Sequence, residues 1–506
     1  MRGLVSLFLS LLFYISLPAQ RLVLPGDHPD PSVVKIGNTY WATATTSNWM
    51  PVYPLLQSTD LIHWKNTGYV FDQKPQWADY YFWAPEISYE NGKVYIYYSA
   101  HKKGGNLCVG VASADRPEGP YTDHGPLICQ PDGSIDAFPM RDENGKLYLI
   151  WKEDGNSINQ PTPIWAQQLN EERTALIGEK VELFRNSKPW EGNLVEGVAM
   201  IQHGDYFYAI YAAAGCCGVG CTYQTGVARA KNLLGPWEKY SQNPVLTGNE
   251  KWMCPGHGTA IEKDSKYYFL YHAYNTKSSV FTGRQGVLKE FQFTPDNWIQ
   301  FVPESSHIPD SAKVINDSFT DTALSNRWQW SVFKHIDYTI KNGNIIVQAL
   351  PDASGAYLGQ FIYTADYTAT TTLLPKKSTA EAGLALIGDD KNMLQIVVSK
   401  NNIKVVQLKG DKETIVAQKT ISRQKKIYLS LQVKNNKEVT FLYSTNAKQY
   451  HIVNTQPLDA SYLPPWDRAI RVGIVARGQA SEKAVFTDFS LASGSNDKMG
   501  KRDTVK

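Results

Sequence analysis

Five stretches of this chain repeat one theme: GNTYWATATTS from Gly37, NGKVYIYYSAH from Asn91, NGKLYLIWKED from Asn144, HGDYFYAIYAAAG from His203 and DSKYYFLYHAYN from Asp264. Each opens on turn-forming residues and runs into aromatic and β-branched side chains, which suit a pleated strand. The Asn-Gly and Gly-Asp pairs supply the backbone freedom that a tight hairpin turn demands. Aligned on Tyr40, Tyr95, Tyr148, Phe207 and Tyr268, the repeats stand 55, 53, 59 and 61 residues apart. A four-stranded propeller blade with its turns takes about 40–50 residues, so each unit matches one blade. A second pattern follows three of the runs: QSTDLIHWKNTG from Gln57, SADRPEGPYTDHG from Ser113 and ARAKNLLGPWEKY from Ala228. It reads as a strand end, a polar turn and an aromatic that packs the next strand. Five such units, evenly spaced, predict a closed five-bladed β-propeller.

Beyond the fifth repeat, VPESSHIPDSAKV from Val302 to Val314 is polar and proline-containing, the composition of a linker. Short alternating runs such as LQIVVSK, IKVVQLKG and KIYLSLQVKN follow to about Leu491 with no helical period, which predicts a β-sandwich. At the other end, MRGLVSLFLSLLFYISLPAQ pairs one cation with an apolar run too short to span a bilayer comfortably. The expected organisation is a signal peptide over 1–19, the propeller over 22–303, a linker over 304–314, the sandwich over 315–493 and a polar tail over 494–506. The fold class is therefore all-β, and the protein is expected to be exported, periplasmic or extracellular, with no membrane span.

The formal net charge of the 506 residues is +3. Arg2 and a two-cation excess in the tail account for all of it, so the body is neutral. That argues against nucleic acid as a partner and suits a neutral oligo- or polysaccharide. Six cysteines are too few for a disulfide framework in so long a chain. Three crowd the loop AAGCCGVGCTY, which lacks zinc-site spacing, and one local bridge between Cys217 and Cys221 is expected there. Trp328 and Trp330 could form a sugar platform, but two such residues on one strand usually serve core or interface.

A propeller gathers the starts of its inner strands around one axis, and three carboxylates stand there. Asp30 lies in GDHPDPSVV, where two prolines hold the backbone extended. Asp136 lies in DGSIDAFPM, and Glu196 in NLVEGVAMI, followed by Gly197. An acid and a base suffice to hydrolyse a glycosidic bond, and a third carboxylate beside the acid would raise its pKa by like-charge repulsion. Glu191, in WEGNLVEG, is the main rival for the acid; Glu196 is preferred because it abuts the strand.

HPDPS, SIDAFP, VEGVAM, FWAPEI with Trp83 and CPGHGTAI with His257 together resemble glycoside hydrolase family 43 over residues 22 to about 303. The resemblance implies a propeller hydrolase that inverts the anomeric centre. Asp30 would be the general base, Glu196 the general acid, and Asp136 the group that tunes the acid and orients substrate. His28, Trp83, His257 and Arg284 would bind the sugar. His257 would also approach a central water or a structural Ca2+ near the axis, through water, although no cofactor is required for the chemistry. The second domain resembles the concanavalin-like sandwich that follows the propeller in this family. Activities implied are α-L-arabinofuranosidase first, with β-xylosidase or β-galactofuranosidase as alternatives. A non-catalytic carbohydrate-binding propeller is the alternative of another class, but it would be expected to have lost one of the three carboxylates.

Overall fold

The Tyr-rich runs become the second strand of five separate antiparallel sheets. In the computed structural model, which describes residues 20–303, 313–422 and 424–494, blade one comprises Ser32–Ile36, Thr39–Thr43, Val52–Ser58 and Lys65–Phe71. Blades two to four open on Ala78–Glu90, Ser134–Arg141 and Val195–His203, and each adds three further strands in sequence order. Blade five runs from Trp252–Lys263 through Lys266–Asn275 to Arg284–Phe293, with Ile299–Phe301 at its margin. The first described strand, Gln20–Leu24, pairs antiparallel with Arg284–Phe293 and so belongs to this last blade, two residues ahead of the boundary expected at residue 22. The five opening strands contact one another in cyclic order, the fifth returning to the first, which closes the ring. Between blades the cores are aromatic: Tyr53, Phe71, Phe82 and Tyr98 meet between blades one and two, and Tyr208, Phe269, Phe291 and Trp298 between four and five.

The second domain packs a nine-stranded sheet on a six-stranded one, from Val314–Asp317 to Lys483–Ser493. Its interior is aliphatic, with Leu384, Ile396, Leu429, Phe441, Ile474 and Phe486 fully buried. Trp328 belongs to this core, its indole donating to Asp317 Oδ2 at 2.8 Å, while Trp330 pairs with Met50 of the propeller. Trp328 is too buried to face a sugar, and Trp330 sits at the domain junction. The two domains are further joined by Arg471, buried on Asp27 and lying over the rings of Trp49 and Phe361. The expected signal peptide, most of the linker and almost all of the tail lie outside the described residues. Among the described residues, no helix is long and apolar enough to cross a membrane.

Every cysteine is paired, and not as expected. Cys217 bonds to its neighbour Cys216, Cys221 reaches across to Cys254 of blade five, and Cys108 joins Cys129. Proximity in sequence suggested Cys217–Cys221. The ring instead brings Cys254 beside the loop and takes Cys221 for itself.

Candidate active site

Each blade's route to the axis contains a residue with positive φ: Asp30 (50°), Ala84 (43°), Asp136 (59°), Gly197 (60°) and His257 (43°). In blades two to five the residue falls at a register break in the opening strand. A bulge bends the strand and re-aims its side chains, so four equivalent bulges, with the positive-φ Asp30 ahead of the first blade, turn local strain into a convergent site. At Gly197 a side chain is also excluded by space, since a Cβ there would stand 2.6 Å from His257 Cγ. These residues open onto a cavity of about 330 Å³ lined by Asp30, Asp136, Glu196, Trp83, His257 and Arg284. Six of the seven site residues named from the sequence, all but His28, line this one cavity.

The three carboxylates sit in different surroundings. Asp30 Oδ1 accepts from Arg284 at 3.0 Å, and Oδ2 accepts from Thr45 Oγ1 at 2.7 Å. Thr45 in turn accepts from the Ala84 amide at 2.6 Å, which fixes the carboxyl's orientation. Burial opposes the charge on Asp30, but the Arg284 guanidinium overrides it and holds this carboxyl well below the usual range. The Asp30 amide donates to His272 Nδ1 at 3.1 Å. Burial and then Arg284 push that histidine down to about 4, so it is neutral.

Glu196 Oε2 accepts from Lys152 at 2.6 Å and Oε1 from Tyr223 at 2.9 Å. Burial raises its pKa, yet Lys152 and then these hydrogen bonds bring the net shift below the ordinary value. Asp136 accepts from the Gly197 amide at 3.0 Å but has no cation of its own. Burial raises it to about 6, the charges of Glu196 and Asp30 adding to the effect and His257 and Lys152 opposing it. The expectation from sequence was that Asp136 would raise the pKa of Glu196. In the sugar-free site the proton of this pair instead favours Asp136, because Lys152 stands on Glu196. Two interacting carboxyls titrate as a unit, so the relevant quantity is the one proton they share.

Lys152 was missed by sequence reading. It is 1% exposed, at the end of an otherwise apolar strand, and bridges Glu196 to Asp154 Oδ1 at 2.8 Å. Tyr223, Trp466 and Asp467 were missed too. Asp467, from the sandwich domain, accepts from the Trp83 indole at 3.1 Å and from Ser47, and its backbone carbonyl accepts from Arg284 at 3.0 Å. Trp466 adds an edge-on contact to Trp83, 5.7 Å between centroids, and Tyr81 stacks on Trp83 at 4.4 Å. An aromatic wall thus flanks the carboxylates, half of it anchored by the second domain.

His28 does not join the site. Its ring packs on Phe361 of the sandwich, 5.0 Å between centroids, and faces the cleft between the domains. His28 stands only two residues before Asp30, but the positive φ at Asp30 (50°) breaks the extended run and parts the two side chains. Glu191 is likewise absent from the cavity: fully buried, it accepts from Lys239, Tyr211 and the amides of Ser187 and Lys188, a structural cap. His257 Nδ1 lies 3.4 Å from Asp30 Oδ1 and 3.8 Å from Asp136 Oδ2. These groups do not fit a direct Ca2+ site. Arg284 already occupies the Asp30 oxygen, and among the described residues no group of three or more His, Cys, Asp or Glu side chains is placed to hold a metal.

A five-bladed propeller with paired acids in an axial pocket is equipped to cleave a glycosidic bond. The chain belongs to glycosyl hydrolases family 43, which residues 19–299 match, and residues 316–491 match the β-xylosidase C-terminal concanavalin A-like domain. Among characterised relatives it is 27% identical over 271 residues to a xylan 1,3-β-xylosidase of a Vibrio species, an alignment spanning 50% of this chain and 49% of that one. It is 24% identical over 431 residues to a xylosidase/arabinosidase of Butyrivibrio fibrisolvens, covering 76% and 81% of the two chains. The fold superposes on the GH43 protein BlXynB from Bacillus licheniformis with a TM-score of 0.79 at 23% identity, covering 94% of this chain and all of that one.

Proposed function

We propose that this glycoside hydrolase is an exported, inverting exo-enzyme that releases terminal α-L-arabinofuranosyl groups from plant polysaccharide side chains. The observation that carries the reading is the opposed electrostatics of the site. Asp30 is held ionised by Arg284, as a base must be, while the Asp136–Glu196 pair retains a proton toward neutrality. In the reaction, a water attacks the anomeric carbon and gives its proton to Asp30. Glu196 delivers the pair's proton to the departing oxygen, and the C–O bond breaks. Lys152 and Tyr223 then stabilise the Glu196 carboxylate that remains. Asp30 is held by Arg284 and Thr45, and Glu196 by Lys152 and Tyr223, which supports separate tasks for the two.

Exo action is supported by the cavity, which is at the small end for ligand pockets and is walled on one side by Trp466 and Asp467. Export is supported by the pairing of all six cysteines, a state that persists in oxidising compartments. A second reading, β-xylosidase, is favoured by the match of the sandwich to a β-xylosidase C-terminal domain. Hydrolysis of nitrophenyl α-L-arabinofuranoside, β-D-xyloside and β-D-galactofuranoside separates the activities, and proton NMR of the first-formed sugar reads the anomer. Release of xylose alone would move the assignment to the second reading. Retention of configuration would remove Asp30 from the role of base.

A further inference from the structure

The loop Ala214–Tyr223 links two middle strands of blade four and carries the bonded neighbours Cys216 and Cys217, both of which line the catalytic cavity. The loop is already fixed by other means. Cys221 is bonded to Cys254, the Thr222 amide donates to the Gly215 carbonyl at 2.8 Å, and the Gly218 amide donates to Tyr274 at 3.2 Å. A bond between adjacent residues closes no chain loop, so it removes almost no freedom from the unfolded state and is of little use as a staple. It has a local effect instead: it locks two sulfurs and two Cβ atoms into one compact ring. Sulfur is polarizable and apolar, suited to contact with C–H groups. The ring is half-buried and shares the cavity wall with Trp83, Trp466 and Leu194. Gly218, one residue on, abuts the backbone of Trp466, so the second domain backs the platform.

We infer that the Cys216–Cys217 disulfide is a sugar-contacting platform that helps set which pentose the pocket accepts, packing against the C–H face of the bound ring. The inference rests on the glycosidase reading above and deepens it. It also gives the cysteine-rich loop a task that neither proton transfer nor folding requires.

The test compares wild type with the double variant Cys216→Ser/Cys217→Ser, which leaves no odd thiol. KM on the best aryl glycoside, calorimetric affinity for free L-arabinose and D-xylose, and the urea midpoint are measured. Expected is a rise of about tenfold in KM and a loss of pentose affinity that differs between L-arabinose and D-xylose, the larger loss the size of a lost polarizable contact, with kcat and the urea midpoint little changed. Wild type treated with dithiothreitol until mass spectrometry counts two free thiols at Cys216 and Cys217, Cys221–Cys254 remaining bonded, is expected to match the variant. It should recover on reoxidation. Unchanged KM and pentose affinity in the variant overturn the platform. So does a lower urea midpoint with kcat and KM altered together, which would make the bond a structural staple. A wild type that neither cleaves any glycoside of the panel nor binds either pentose overturns the functional reading, and the platform with it. Pentose binding without cleavage would sink only the catalytic reading, the platform then being judged on affinity.

Discussion

Asp27 and Asp30 stand three residues apart in one segment, both buried, each on an arginine, and they do different work. Asp30 meets Arg284 at the edge of a cavity, and its second oxygen is oriented by Thr45. Asp27 Oδ2 meets Arg471 at 3.2 Å and the Ala469 amide at 2.9 Å, sealed between the propeller and the sandwich. Space around it is so tight that a Cβ on Gly283 would collide with its other oxygen. The pairing is the same, but the neighbours differ. A buried ion pair that faces water becomes chemistry, and one that faces a second domain becomes adhesion. Composition and spacing cannot distinguish the two.

The comparison breaks most sharply at Asp30. Asp30→Asn keeps the shape and removes the charge, and it is expected to lower kcat by about 10³–10⁴-fold, the upper range for lost acid–base catalysis. Its stability should fall only modestly, because Arg284 keeps the Asp467 carbonyl and a cavity. Kinetics and urea titration on the same sample read both quantities. Asp27→Ala should give the opposite result. Removing one partner of a sealed pair costs about 3–5 kcal/mol, read as a lower urea midpoint, while kcat stays within the same order. If Asp27→Ala abolishes kcat without loss of stability, the division of labour between the two aspartates is wrong.

Smaller effects sharpen the other end of the site. The proton shared by Asp136 and Glu196 is lost as pH rises through about 6, so kcat/KM should decline on that alkaline limb. Lys152→Met removes the cation that favours the ionised pair, so the proton is held to higher pH and the limb should move upward. A limb that stays in place in the variant would free Lys152 of any part in proton affinity. Smallest of all, Asp467→Asn retains one side-chain oxygen, enough for Trp83 and Ser47, which donate to the same carboxylate oxygen. It should change KM more than kcat, by a fewfold, the scale of one hydrogen bond.

The fold was legible because a repeat announces itself: five Tyr-rich runs at even spacing admit few architectures, and all five became second strands of blades. The carboxylates were legible for the same reason, each standing at an equivalent point of its unit. What escaped was set by neighbours distant in sequence. Nothing near residue 83 indicates that residue 467 will hold its indole. Lys152 carries no local signal, because, Asp154 aside, its acidic partner Glu196 lies in another blade. His28 looked like a pocket residue because it adjoins Asp30, yet it faces the other domain. The disulfide expected within the loop failed likewise, since Cys254 lies in another blade.

The strand Gln20–Leu24 completes a blade whose other members begin at Trp252. During synthesis the earliest strand of the ring must therefore wait for partners made more than two hundred residues later. Loop closure over such a distance is costly and slow, and chains dominated by non-local pairing fold slowly. Blades one to four each consist of consecutive strands and can form in order behind the growing end. The last blade alone requires both ends of the ring. Until it closes, Asp30 lacks Arg284 and His272, so this carboxylate acquires its charge partner only in the final assembly step. On the mechanism proposed above, a half-made propeller is inactive, and catalytic activity is expected to report ring closure directly.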